Sequence, residues 1–149
     1  MKNQLKQPIL DVGFIKKLIP QKEPFVMVDR LFYFDETTAE SGLFITEDNL
    51  LSDGTCFSEA GLVENMAQSV ALHGGYGAYV NTEGAPKKGF LGAIKILEIM
   101  ELPRINTLIK TYIKVNHDIM GVKLSDVIVR DEKGKILATA TMKTATVDA

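Results

Sequence analysis

The feature that most constrains the fold is a long apolar stretch in the middle of the chain, residues 57–80. It contains no proline and is too long for one strand, so its length predicts an α-helix. Ser58 stands where an N-cap residue belongs, and Glu59 places a carboxylate in the first turn, where the helix dipole favours it. The pair Gly74–Gly75 predicts the end of the helix. Since this helix is apolar on most sides, we expect the rest of the fold to enclose it.

One acidic side chain interrupts the apolar helix. Glu64 lies one turn after Ala60, on a stripe of small residues that allows close approach, and Gln68 follows one turn later. A carboxylate on the packed side of a buried helix is costly unless it has partners or a function. Glu64 is therefore our first candidate for a functional residue. The alternative is a structural carboxylate tied to the backbone or to Gln68.

The bulk composition argues against several classes of protein. Seventeen Lys plus Arg against 19 Asp plus Glu give a net charge of -2, so we expect no nucleic-acid partner. The single cysteine excludes an internal disulfide, and no Cys/His spacing predicts a metal site, so we expect neither metal nor cofactor. No apolar run reaches transmembrane length and the N-terminus has no signal-peptide core, which predicts a cytoplasmic protein without a membrane partner.

The rest of the chain predicts an antiparallel sheet. A short amphipathic helix begins after Asp11 and ends at Pro20. Six stretches have the composition of strands, and they cover residues 25–34, 37–46, 89–99, 107–116, 122–130 and 136–147. We expect one α+β domain over residues 1–149, with 1–10 as a flexible lead-in. In it the sheet curls around the long helix, the strands after that helix form a meander, and a second copy shields the helix's remaining sides.

Two motifs resemble those of the FabZ-type 3-hydroxyacyl-(acyl carrier protein) dehydratases. Residues 18–30, Leu-Ile-Pro-Gln-Lys-Glu-Pro-Phe-Val-Met-Val-Asp-Arg, are similar to that family's Leu-Pro-His-Arg-x-Pro-Phe-Leu-Leu-Val-Asp-Arg. Residues 64–68, Glu-Asn-Met-Ala-Gln, are similar to its Glu-Ala-Met-Ala-Gln. Residues 90–94 and 136–142 resemble the family's third and closing strands, in the same order. The resemblance implies the hotdog fold, a curved antiparallel sheet wrapped around one long central helix, as a homodimer or a higher multiple of dimers.

The same resemblance implies a function. It is the dehydration of 3-hydroxyacyl thioesters, carried by acyl carrier protein or coenzyme A, in fatty acid or polyene-type synthesis. In that family a loop histidine removes the proton beside the thioester carbonyl, and the helix glutamate from the other subunit protonates the departing hydroxyl. Glu64 matches the glutamate, but Gln21 occupies the histidine position. Glutamine cannot act as a general base near neutral pH, so we expect Glu64 and Gln21 to form a catalytic pair of reduced activity.

The resemblance also places substrate-binding residues on the loop, at the start of the helix and on the third strand. They are Phe25, Phe57, Ser58, Glu59, Ala60, Gln68, Phe90 and Gly92. Two alternatives stay open. Hotdog thioesterases use a helix carboxylate with an amide or water and no histidine, so a Gln21–Glu64 pair also suits thioester hydrolysis. A non-catalytic role, as an acyl-thioester-binding protein or a subunit paired with an active dehydratase, is the second.

Overall fold

Six antiparallel strands form one sheet around one long helix. The computed structural model describes residues 2–81 and 88–147, with only the backbone of 88–90 and 147. The helices are α1 (Val12–Lys17) and α2 (Glu59–Val80). The strands are β1 (Arg30–Phe34), β2 (Thr38–Phe44), β3 (Lys88–Ile99), β4 (Leu108–Ile119), β5 (Val122–Asp131) and β6 (Ile136–Val147).

Both helices begin where their capping residues predict. The Asp11 carboxylate accepts a hydrogen bond from the Phe14 amide, and the Ser58 hydroxyl accepts one from the Gly61 amide at 3.0 Å. The predicted end of α2 at Gly74–Gly75 is wrong, because the helix continues to Val80. A Cβ atom on Gly75 would overlap the carbonyl oxygen of Leu18. This glycine therefore lets the end of α1 pack directly on α2.

The strand order is β1-β2-β4-β5-β6-β3. Strands β4, β5 and β6 form the predicted meander, but the first strand after α2 does not belong to it. β3 instead pairs with β6 at the far edge of the sheet. Apolar residues of this strand are exposed within one chain, among them Leu91 and Ile96. The first predicted strand is shorter than expected, because residues 25–29 precede β1 and are not part of it.

The core lies between one side of α2 and the inner face of the sheet. Leu62, Met66 and Leu72 of α2 are completely buried. They share this core with inner-face residues of the central strands, among them Ile109, Ile113, Val127, Val129 and Ala138. Full burial of each large aliphatic side chain stabilises the fold by about 1.5–3 kcal/mol. The core thus holds α2 against the sheet, and its opposite side faces away from the core.

The two edges of the sheet differ. Residues 3–9 run along β1, where Ile9 and Leu31 exchange backbone hydrogen bonds of 2.8 and 3.0 Å. The Asn3 side chain also accepts a bond from the Phe34 amide. The segment predicted as a flexible lead-in thus covers the β1 edge. Within the described ranges nothing pairs with the outer edge of β3, so β3 offers unpaired backbone groups to another chain.

Candidate functional site

A single buried amide connects the helix acid to the loop in front of β1. The Gln68 carboxamide nitrogen donates to a Glu64 carboxylate oxygen at 2.8 Å and to the Phe25 carbonyl at 2.7 Å. Its oxygen accepts from the Met27 amide at 2.6 Å. Gln68 is completely buried, so its carboxamide depends on these partners for its hydrogen bonds. The result is an acid whose orientation is coupled to the position of residues 25–27.

A second set of hydrogen bonds fixes the same part of α2 to the sheet. Asn65 donates to the Met27 carbonyl at 2.8 Å and accepts from the Thr111 hydroxyl at 2.6 Å. The Ser69 hydroxyl lies 2.7 Å from both the Asn65 carbonyl and the Ser41 hydroxyl. Our interpretation of the sequence did not single out Asn65 or Thr111. The only available signal was a polar residue next to Glu64 in an otherwise apolar helix.

Glu64 itself is half-buried and lies on the side of α2 that the sheet does not cover. In the first turn of the same helix, five and four residues before it, the amides of Glu59 and Ala60 have no acceptor among the described residues, and both residues are exposed. The Ser58 side chain caps the helix by accepting a hydrogen bond from the Gly61 amide. Free amides at a helix N-terminus stabilise negative charge that develops on a bound group. An acidic side chain close to them can transfer a proton at the same place.

Gln21 is not joined to Glu64 within one chain. It is half-buried, its carboxamide oxygen is buried, and this oxygen has no hydrogen-bond partner among the described residues. The predicted Gln21–Glu64 pair is therefore not assembled by a single subunit. Phe25, on the same loop, is 54% exposed, so its ring is free to contact a ligand or another chain.

The remaining predicted binding residues have different environments. Phe57 is completely buried, with its ring against Gly61, and belongs to the core. Gly92 is exposed on β3, where a Cβ atom would make only an ordinary contact with Lys143. Phe90 lies on β3, but its side chain is outside the described part of the structure. Substrate binding by these residues stays a prediction.

Neither histidine lies beside Glu64. His73 follows it by nine residues, about 13 Å along α2 and on the opposite side. His73 is buried, with its Nε2 atom 2.9 Å from the Asp35 carbonyl oxygen. Burial lowers the pKa of His73. The hydrogen bond to Asp35 raises this pKa, whereas the positive charge of Lys123 lowers it further. His117 is exposed on β4. The site of one chain thus has an acid and amides but no imidazole.

Other kinds of site are not found in the described part of the chain. No group of His, Cys, Asp and Glu side chains there is arranged to hold a metal ion. None of the helices in those residues has the length and apolarity needed to cross a membrane. A cleft of about 400 Å³ opens between α1 and residues 46–50, with Val26 and Val28 in its wall. Glu64 does not line it, so this cleft is separate from the acid.

Comparison with known structures shows the fold. The chain superposes on a chain of the dehydratase heterocomplex ApeI:P from Xenorhabdus doucetiae with a TM-score of 0.81 and 13% identity, over 90% of this chain and 91% of that one. The E. coli PaaI protein from the phenylacetic acid degradation operon gives a TM-score of 0.60 and 14% identity, over 77% and 80%. A hypothetical thioesterase with coenzyme A from Streptococcus pneumoniae TIGR4 gives 0.60 and 11%, over 79% and 84%.

These neighbours and the curved sheet around one long helix confirm the predicted hotdog fold. No curated protein matches the sequence at a significant level. The sequence does match one protein family, described as ApeP-like, ApeP dehydratase, over residues 14–148. The expectation of a dehydratase family is thus confirmed, and that family is ApeP-like. Because the match covers most of the 149 residues, the chain belongs to the ApeP-like dehydratase family.

Proposed function

We propose that this chain is the acid-bearing subunit of a dehydratase that acts on 3-hydroxyacyl thioesters of acyl carrier protein or coenzyme A. The observation that carries the proposal is the half-buried Glu64, oriented by Gln68 and close to the free amides of the first turn of α2. Membership of a dehydratase family supports the reaction class. A role in fatty acid or polyene-type synthesis is part of the proposal.

In this reaction a base removes a proton from C2, and the C3 hydroxyl departs as water after it is protonated. Protonated Glu64 supplies that second proton, and a proton returned from the base restores the acid. The amides of Glu59 and Ala60 stabilise the negative charge that develops on the thioester oxygen. The product is a 2-enoyl thioester, and no net proton is gained or lost.

The base must come from another chain, because position 21 carries an amide. The β3 edge is unpaired in the described structure and supports addition of a second sheet. The similar chain from Xenorhabdus doucetiae belongs to a dehydratase heterocomplex, ApeI:P. We therefore propose that the chain forms a homodimer, or a multiple of dimers, when alone. Full activity then requires a related hotdog chain with histidine at the position of Gln21.

The test follows the hydration of a 2-enoyl thioester, carried either by acyl carrier protein or by coenzyme A. We expect slow turnover by the wild-type chain alone and faster turnover by Gln21→His. Glu64→Ala in the Gln21→His background should abolish the gain. Adding a related chain that has the histidine should raise turnover by wild type but not by Glu64→Ala.

The same reactions are assayed for free thiol. Thiol release that depends on Glu64 without any hydration would show a thioesterase and reject the dehydratase. Fast hydration by the wild-type chain alone would reject the requirement for a partner. If neither Gln21→His nor the added partner produces hydration, the chain is not a dehydratase subunit.

A further inference from the structure

Four buried polar side chains form a connected set between α2 and the central strands. The Asn65 carboxamide oxygen accepts from the Thr111 hydroxyl at 2.6 Å, and the Asn65 backbone carbonyl accepts from the Ser69 hydroxyl at 2.7 Å. Ser69 in turn lies 2.7 Å from the Ser41 hydroxyl. Ser41 and Thr111 are opposite each other in the register of β2 and β4. All four residues are at most 1% exposed, so this polar set lies inside an otherwise apolar core.

Stability alone does not account for these polar groups. Hydrogen bonds between buried side chains replace bonds to water, so they add little net stability, and apolar side chains of the same shape are often as stable. One donor of the set is directed away from its other members. It is the Asn65 carboxamide nitrogen, which donates to the Met27 carbonyl at 2.8 Å. What the set adds to the fold is therefore a fixed position for this amide.

Both backbone polar groups of Met27 are held by side chains of α2. Its carbonyl accepts from Asn65, and its amide donates to the Gln68 oxygen at 2.6 Å. The nitrogen of the same Gln68 side chain donates to Glu64 at 2.8 Å. A shift of Met27 would therefore turn the carboxamide that orients Glu64. Since Asn65 is completely buried, it acts on the acid only through Met27 and Gln68.

The sequence resemblance assigns no role to Asn65. The FabZ-type motif that residues 64–68 resemble has alanine at this position, and alanine has no hydrogen-bonding side chain. In this chain the additional amide gives residues 25–27 a third side-chain bond besides the two from Gln68. Thr111 donates to the carboxamide oxygen of Asn65, so it keeps the nitrogen directed at Met27.

We propose that Asn65 and Thr111 are positioning residues for the dehydration reaction. They fix Met27 and thereby the Gln68 side chain, so that the Glu64 carboxyl group points at the departing hydroxyl. This inference rests on the proposed function, which gives Glu64 a proton to transfer. A misplacement of about 1 Å can lower a rate by about a hundredfold although every reacting group is present. Loss of the Asn65 bond should therefore lower kcat and leave KM nearly unchanged, because no contact with substrate is removed.

The experiment measures hydration of a 2-enoyl thioester by the full-length protein in an assembly that contains the histidine. This assembly is the Gln21→His protein or the wild-type chain with its histidine-bearing partner. Thr111→Val keeps the shape of the side chain but loses the donor to Asn65. We expect its kcat to fall by about tenfold to a hundredfold, with KM changed by less than about twofold. Thr111→Ser keeps the hydroxyl and should retain most of kcat, whereas Asn65→Ala should lower kcat at least as far as Thr111→Val.

Amide hydrogen exchange at residues 25–27 gives a readout that does not depend on activity. Exchange there should be faster in Asn65→Ala and in Thr111→Val than in the parent protein, because the local opening of this segment becomes easier. Ser125→Ala is the matched control on the inner face of the sheet. It removes a buried hydroxyl that has no hydrogen-bond partner among the described residues, so it should change neither kcat nor this exchange.

The outcomes separate the inference from the proposed function. If Thr111→Val has the kcat of Thr111→Ser, or if exchange at residues 25–27 is unchanged in Asn65→Ala, the inference is overturned and the proposed function stands. A loss of kcat in Ser125→Ala as large as in Thr111→Val would also overturn it, since any change in the core would then have the same effect. If no assembly of the chain hydrates the thioester, the proposed function falls together with the inference.

Discussion

Glu64 and the loop before β1 are held by the same side chain, Gln68. Its amide nitrogen is 2.8 Å from the Glu64 carboxylate and 2.7 Å from the Phe25 carbonyl, and its oxygen accepts from Met27. The acid therefore cannot reorient without affecting the loop that carries Gln21. These hydrogen bonds explain why the polar side chain of Gln68 is completely buried in an apolar helix. They also separate the positioning role of Gln68 from the chemical role of Glu64.

Replacing Gln68 by methionine should destabilise the protein. The variant keeps the volume of the side chain but leaves the Met27 amide and the Phe25 carbonyl without their buried partner, at a cost of about 1–3 kcal/mol for each group. Urea unfolding of wild type and variant measures the loss. The matched control is Gln21→Met, because the Gln21 oxygen has no hydrogen-bond partner among the described residues. Equal losses in the two variants would contradict the role assigned to Gln68.

Replacing Glu64 by glutamine should affect activity far more than stability. Its side-chain oxygen can still accept from Gln68, so we expect the free energy of unfolding to change by less than about 1 kcal/mol. Loss of the proton donor should lower turnover by about 10²–10⁴-fold in the active assembly. The control is Glu47→Gln, which changes an exposed loop glutamate. If Glu64→Gln kept its activity, the carboxyl group would not be the acid.

The elements of the fold could be predicted from the sequence because they depend on local patterns. Ser58 identified the start of α2, and the strand stretches after it were close to their observed limits. The place of β3 could not be predicted, since pairing partners depend on contacts between distant residues. The end of α2 was missed for a similar reason. Gly75 is a contact with Leu18, which is far away in the sequence, and not a helix terminator.

The candidate site was only partly predictable. Glu64 stood out because a carboxylate is unexpected in an apolar helix, and Gln68 because it lies one turn later. The sequence could not show that Gln68 binds the backbone of residues 25–27.

Two glycines of α2 should respond in opposite ways to replacement by alanine. In Gly75→Ala the new methyl group would overlap the Leu18 carbonyl oxygen, so α1 must move away from α2. We expect a loss of about 1–3 kcal/mol or more from this overpacking. In Gly77→Ala the methyl group would contact the Phe34 ring at an ordinary 3.6 Å. The gain in helix propensity should then stabilise the protein by about 0.5–1 kcal/mol, as measured by urea unfolding.

The buried His73 should make stability depend on pH. Burial lowers its pKa in the folded state below the ordinary value of about 6.5, so the unfolded chain binds the proton more readily. The resulting stabilisation is present above pH 6.5 and is lost as the pH falls from there towards the folded-state pKa. His73→Gln, which can still donate to the Asp35 carbonyl, should flatten the profile between pH 7 and 5. His117→Gln serves as the control, and an unchanged slope in His73→Gln would contradict the prediction.

The outer edge of β3 should control association between chains. Ile96 is 77% exposed and has a φ of 53°, a left-handed conformation that a β-branched residue adopts at a cost, whereas asparagine adopts it readily. Ile96→Asn should therefore leave the single chain at least as stable while removing apolar surface from the proposed contact. Sedimentation at several protein concentrations should show a higher dissociation constant for the variant. Phe44→Asn, at an exposed position on β2, is the comparison for a general loss of apolar surface. If Ile96→Asn associates as strongly as the wild type, the chains meet on some surface other than β3, and the site at Glu64 must be completed from there.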